Sequence, residues 1–122
     1  MQTRRQKTGR YGEALAERYL LKSGYKIVAK NWRCAAGELD IIARQGETLV
    51  FVEVRTRRSA QLGSPEESIT PAKQAKLTEL AYTFLAENEL EDDNWRIDVI
   101  AIVLNRQNKV QRLNHIEWAI GF

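Results

Sequence analysis

Two acids and an arginine stand in two short apolar runs. Residues 38–45 read ELDIIARQ and residues 48–55 read TLVFVEVR, with Gly46 and Glu47 between them. Glycine at the first position of a two-residue loop is the type II′ hairpin pattern. Such a loop pairs Gln45 with Thr48, so Asp40 falls opposite Glu53 and Glu38 opposite Arg55. Carboxylates directly opposed on a sheet have Cβ atoms about 4.5–5.5 Å apart and repel each other. On a half-covered face they also lose hydration. A divalent cation offsets both effects, since Mg²⁺ takes oxygen ligands and is held by one or two carboxylates with phosphate and water completing the shell. Arg55 adds a fixed positive charge on the same face. The plainer alternative is an acid–arginine cluster in which Arg55 pairs with Glu38 and Asp40 is solvated.

The register also sorts the apolar residues. Leu39, Ile41, Ala43, Val50, Val52 and Val54 collect on one face, and Ile42, Leu49 and Phe51 share the face of the acids. A three-residue loop would oppose Asp40 with Val52 and dissolve the cluster. Two charges elsewhere join the pattern. Glu13 stands at helical spacing with Ala16 and Leu20, leaning toward an apolar face. Lys73 occupies the first turn of a helix, where the macrodipole disfavours a cation.

The elements that must carry these residues follow from periodicity and punctuation. A helix is predicted from about Thr8 to Lys22, closed by Ser23 and Gly24, and a strand over 25–32. The hairpin follows. Thr70 and Pro71 form a helix start, and Leu77, Leu80, Ala81, Phe84 and Leu85 form its core-facing stripe. Residues 95–104 read as a central strand, 105–108 as a turn, 109–114 as a more polar strand, and the C-terminus as a short helical segment. The order α-β-β-β-α-β-β gives a mixed central sheet flanked by helices, the α/β class, because the helix before the fourth strand permits a crossover.

One domain over residues 1–122 is expected from the length. Residues 1–8 are read as a basic N-terminal arm. Nineteen Lys and Arg against 16 Asp and Glu give a formal charge of +3, unevenly spread. Arg4, Arg5, Lys7 and Arg10 open the chain without an acid, Arg57 and Arg58 follow the hairpin, and acids gather at 87–93. Such segregation suits a face turned toward a polyanion. The longest apolar run, 99–104, is far short of the ~20 residues of a membrane helix, so no membrane partner is expected. Cys34 and His115 are the only residues of their kinds. A disulfide framework, a cysteine zinc site and most histidine chemistry are thereby excluded, and a reducing, cytoplasmic setting is expected. Both residues are read as structural, and Trp32 and Trp95 as core.

The ordered set GRYGE (9–13), YLLKSGY (19–25), NWRCAAGELDII (31–42), FVEVRTRRS (51–59), ITPAKQAKL (69–77) and RIDVIAI (96–102) resembles the YraN-like family of small bacterial predicted endonucleases. GELDII followed by FVEVR resembles the PD-(D/E)XK nuclease motif within it. The resemblance implies a restriction-endonuclease-like fold akin to Holliday-junction resolvases, with Asp40 and Glu53 as ligands of Mg²⁺ or Mn²⁺. It places Glu13 and Arg55 in the catalytic set, and Lys73 and Gln74 where related nucleases position substrate. DNA is the implied partner, with Arg4, Arg5, Arg10, Arg57 and Arg58 on its phosphates, and a homodimer would suit a two-fold junction. Arg55 stands where the motif has lysine, and a guanidinium cannot act as a base. Two functions are therefore carried forward: a metal-dependent endonuclease, and a nucleic-acid-binding module on the same fold. A structural adaptor that uses its basic face on an acidic protein is the third.

Overall fold

Thr3 starts the first helix. Its hydroxyl accepts from the Gln6 N–H and the Gln6 side chain accepts from the Thr3 N–H, a reciprocal cap that begins α1 at Arg4–Lys22. The basic arm expected over residues 1–8 is therefore helical from Arg4 onward. In the computed structural model, residues 1–59 and 63–120 are described. After α1 come β1 (Lys26–Cys34), β2 (Gly37–Gln45), β3 (Thr48–Arg57), a 3-10 turn (Pro65–Ser68), α2 (Pro71–Glu87), β4 (Trp95–Leu104) and β5 (Val110–Ile116). The mixed α/β order is the expected one; only the 3-10 turn is additional. The C-terminal helix does not form among the described residues, since 117–120 run as turn and bend.

The five strands lie in the order β1-β2-β3-β4-β5, antiparallel except for the β3–β4 pair. That parallel pair is bridged by α2, as a crossover requires. Helix α1 packs Ala16 and Leu20 on one face, against Ile41, Ala43, Val50, Val52, Ile100 and Ile102. Helix α2 packs Leu77, Leu80, Ala81 and Phe84 on the other, against Leu39, Ile42, Phe51 and Ile97. Trp32 and Trp95 pack partly buried beside this second cluster, with edge-on contacts to Phe84 and Phe51. The 3-10 turn is tied to β5 by Glu66, whose carboxylate accepts from both Arg112 nitrogens at 2.6 and 3.0 Å and from Asn114. The Arg112 hydrogen bonds hold the Glu66 carboxyl down at about 2.

A buried polar network closes the end of the sheet. Arg96 and Asp98 of β4 meet at 3.0 Å, and Arg96 also donates to Tyr25 and Glu117. His115 Nε2 lies 2.8 Å from Asp98 Oδ2, with the Tyr19 hydroxyl at Nδ1. A carboxylate only accepts, so Nε2 donates. His115 is thus structural.

Helix α1 approaches β3 closely at Gly12, where a methyl group would stand 1.9 Å from Thr56 Oγ1 and 2.9 Å from its Cβ. Gly12→Ala should therefore destabilise the fold by about 1–3 kcal/mol, the usual range for overpacking. Gly9→Ala, one turn earlier with nothing within 4 Å, should be neutral or stabilising by up to about 1 kcal/mol. Urea unfolding of the two variants checks the contrast.

Candidate active site

The hairpin register holds from Gln45–Thr48 to Ile41–Val52, with Gly46 at a φ of 59° as the turn demands. Beyond that point β2 and β3 part. The Val54 N–H donates instead to Asp40 Oδ2 at 2.9 Å. Asp40 is therefore not laddered opposite Glu53, and Glu38 is not opposite Arg55.

The cause lies in the neighbouring strand. β1 and β2 pair at Lys30–Ile41 and at Trp32–Leu39, but the residues between them, Asn31 and Asp40, do not pair. Asn31 adopts a φ of 51°, in the left-handed region that asparagine tolerates better than most residues. Both strands rotate there. Trp32 and Leu39 consequently join Ala29 and Ile42, three residues away, on the α2 side. Leu39 leaves the face expected for it, because strict alternation fails across Asp40.

This rotation assembles the site. The Asn31 amide donates to Glu13 Oε1 at 3.0 Å and to Glu38 Oε1 at 2.9 Å. Glu38 also meets Arg33 at 3.3 Å, so it belongs to β1 and not to Arg55. Glu53 is 4% exposed, with Oε2 3.1 Å from Arg55 Nη2 and 3.4 Å from Lys73 Nζ. Glu53 is the acid that acts most strongly on Asp40. Burial first, then the Glu53 charge, push the Asp40 carboxyl up to about 8, against the Val54 N–H, which favours its ionised form; Glu13 adds to the rise.

The remaining expected residues divide. Arg10 and Glu13 line a small cavity of about 120 Å³ together with Asp40 and Asn31. Arg4, Arg5, Arg57 and Arg58 line a larger cavity of about 620 Å³ with Arg55. Arg58 is held by Thr8 and Asn108. Lys73 reaches Glu53 from the first turn of α2, where Thr70 caps the helix and no acid is present. Gln74 turns back to the Ile69 carbonyl and stays outside the acid cluster. Sequence reasoning missed Asn31, for which the signal was a polar residue interrupting an edge strand opposite the key acid.

The donor set suits a hard cation in part. Among the described residues no group of three or more His, Cys, Asp or Glu side chains is placed to hold a metal. Two adjacent carboxylates are nevertheless the set that Mg²⁺ accepts when phosphate and water fill the other positions. Burial and the Glu53 charge hold the proton on Asp40 although Arg55 and Lys73 stand beside Glu53.

A family model described as "Uncharacterised protein family UPF0102" matches residues 12–102, and the chain belongs to that family. A UPF0102 protein of Roseiflexus castenholzii is 48% identical over 121 residues, covering 98% of both chains. One from Geotalea uraniireducens is 49% identical over 91% of this chain and 87% of its own. A third, from Moorella thermoacetica, is 44% identical over 94% and 96%. Among the described residues no helix is long and apolar enough to cross a membrane.

The Asp40 shift carries a definite sign. Unfolded Asp40 ionises near 3.8 and folded Asp40 near 8. Between those values the native state holds a proton that the unfolded state has lost, so this contribution to stability is lost as pH rises toward 8. Asp40→Asn keeps an acceptor for Val54 without the charge. At pH 8 without metal it should be more stable than the wild type by at least about 1.4 kcal/mol, the equivalent of one pKa unit. The difference should shrink toward pH 4, as read by denaturation at each pH.

Proposed function

We propose that this chain is a metal-dependent endonuclease, a phosphodiester hydrolase acting on DNA in the cytoplasm, with Asp40 and Glu53 as the ligands of Mg²⁺ or Mn²⁺. The observation that carries this reading is the buried Asp40–Glu53 pair, which keeps a proton to about 8 even beside two cations. A divalent cation would displace that proton, since metal binding and protonation compete for the same oxygens. When bound, it would polarise a phosphoryl oxygen and lower the pKa of a water.

The chain's own residues have separate tasks. Arg55, a planar guanidinium, serves as a fixed charge opposite the phosphate oxygens. Lys73 lies beside the same Glu53 oxygen and offers a second cation to charge developing in the transition state. Asn31 holds Glu13 beside the cavity that Asp40 lines, which keeps a third carboxylate near the pair. The resemblance of GELDII and FVEVR to the PD-(D/E)XK motif and to resolvase-like folds supports DNA as substrate and a homodimer as the assembly.

A second reading, a nucleic-acid-binding module without catalysis, draws on one observation. Glu53 is already paired with Arg55 and Lys73, and the arginine replaces the lysine of the motif. Incubation with branched, single-stranded and duplex DNA, with Mn²⁺, Mg²⁺ or a chelator, separates the two. Cleavage should need the metal and fall at least a hundredfold in Asp40→Asn and Glu53→Gln, the scale on which removal of one transition-state contact is felt. DNA retention in chelator should persist in both variants. Metal-independent binding with no cleavage in any arm would establish the second reading.

A further inference from the structure

We propose that the cavity between the first turns of α1 and the end of β3 is a phosphate-binding subsite, filled without a divalent cation and joined to the acid pair through Arg55. Its volume, about 620 Å³, falls within the 300–1,000 Å³ of small-ligand pockets. Among the described residues the wall holds Arg4 and Arg5 from α1, Arg55 and Arg57 from β3 and Arg58 just beyond it, and no carboxylate.

Among the described residues only Arg55 of these has an anionic partner, Glu53. Arg58 is held by the neutral Thr8 and Asn108, which fixes its guanidinium without neutralising it. Arg4, Arg5 and Arg57 make no ion pair among the described residues. The first turn of α1 has no acid, so the positive end of its macrodipole adds to the same field. Cations gathered this way repel one another until an anion enters.

A second observation points to the same place. Among the described residues, the buried side-chain atoms without a hydrogen-bond partner are Arg55 Nε and Thr56 Oγ1. Both residues line this cavity. Buried donors in native proteins are almost always satisfied, by the chain or by something bound to it. Arg55 Nε, on the guanidinium whose Nη2 meets Glu53, is thus left for an acceptor from outside the chain, while Thr56 Oγ1 is packed against Gly12; the planar forks of arginine match phosphate geometry. Among the described residues no aromatic side chain lines the wall. Bases therefore have no stacking platform, and recognition rests on phosphate without regard to sequence.

Position gives the subsite its use, and this step rests on Asp40 and Glu53 as the reacting centre. From Glu53 to Arg57 is four residues of strand, about 13 Å at ~3.3 Å per residue. Phosphates of one strand rise about 3.4 Å apiece along a duplex. A phosphate held among these arginines would thus lie a few nucleotides from the one at the acids.

The test uses the full chain in chelator at constant ionic strength, with inorganic pyrophosphate as probe and calorimetric titration as readout. The wild type should bind saturably, and Arg5→Ala/Arg57→Ala should lose at least tenfold in affinity. Arg18→Ala/Lys22→Ala removes the same charge from the far end of α1 and should leave affinity within twofold. Equal losses in both double variants, or no saturable binding by the wild type, would overturn the subsite. Because no metal or cleavage enters the readout, failure of the nuclease reading would leave this result standing, and the reverse. Oligonucleotides with a 5′-phosphate or a 5′-hydroxyl then identify the group. Preference for the phosphorylated end, lost in Arg5→Ala/Arg57→Ala, assigns a terminal phosphate, and equal binding lost in that variant assigns an internal one.

Discussion

A backbone N–H that loses its strand partner must find another acceptor, and at Val54 the acceptor is the Asp40 carboxylate. The site depends on that substitution. It draws the Asp40 side chain toward β3, where burial and the Glu53 charge keep it protonated. The parting of β2 from β3 leaves β3 paired with β4 from Leu49 to Arg57, so Glu53 and Arg55 remain on a firmly held strand. The acids are thus placed by a break in one ladder and the rigidity of the next.

The protein contains two buried aspartates with opposite fates. Asp98 is fully buried, and burial alone would raise its pKa. Hydrogen bonds from His115, Arg96 and the Trp118 N–H, together with the Arg96 charge, outweigh this and hold it below the ordinary carboxylate range. Asp40 receives one N–H and faces two other acids. Asp98 closes a structure; Asp40 leaves one open. Removing one partner of a buried ion pair leaves an uncompensated charge, so the Arg96–Asp98 pair tolerates change poorly.

Much of this was legible in the residues. The Gly46 turn set the register of five residue pairs, and helical spacing placed Leu77, Leu80 and Phe84 in the core and Glu13 over the sheet. What escaped was non-local. Alternation predicts a regular strand through Asp40, and nothing local says that Asn31, on another strand, will turn left-handed and take Glu13 and Glu38 as acceptors. The early start of α1 was legible in Thr3 and Gln6, a capping pair outweighed by the cluster of arginines that follows. Lys73 looked misplaced at a helix start; its reach to Glu53 depends on how α2 docks, which its own sequence does not specify.

β1 is an outer strand of the sheet, and it is irregular twice, at the register shift between Ile27 and Ala29 and at Asn31. Straight outer strands offer a row of free amides and carbonyls on which another molecule can grow, the first step toward aggregation. A strand that twists out of line at two places offers only short, misaligned stretches. The residue that organises the acids therefore also spoils this border as a template, and steers self-association through added strands away from β1.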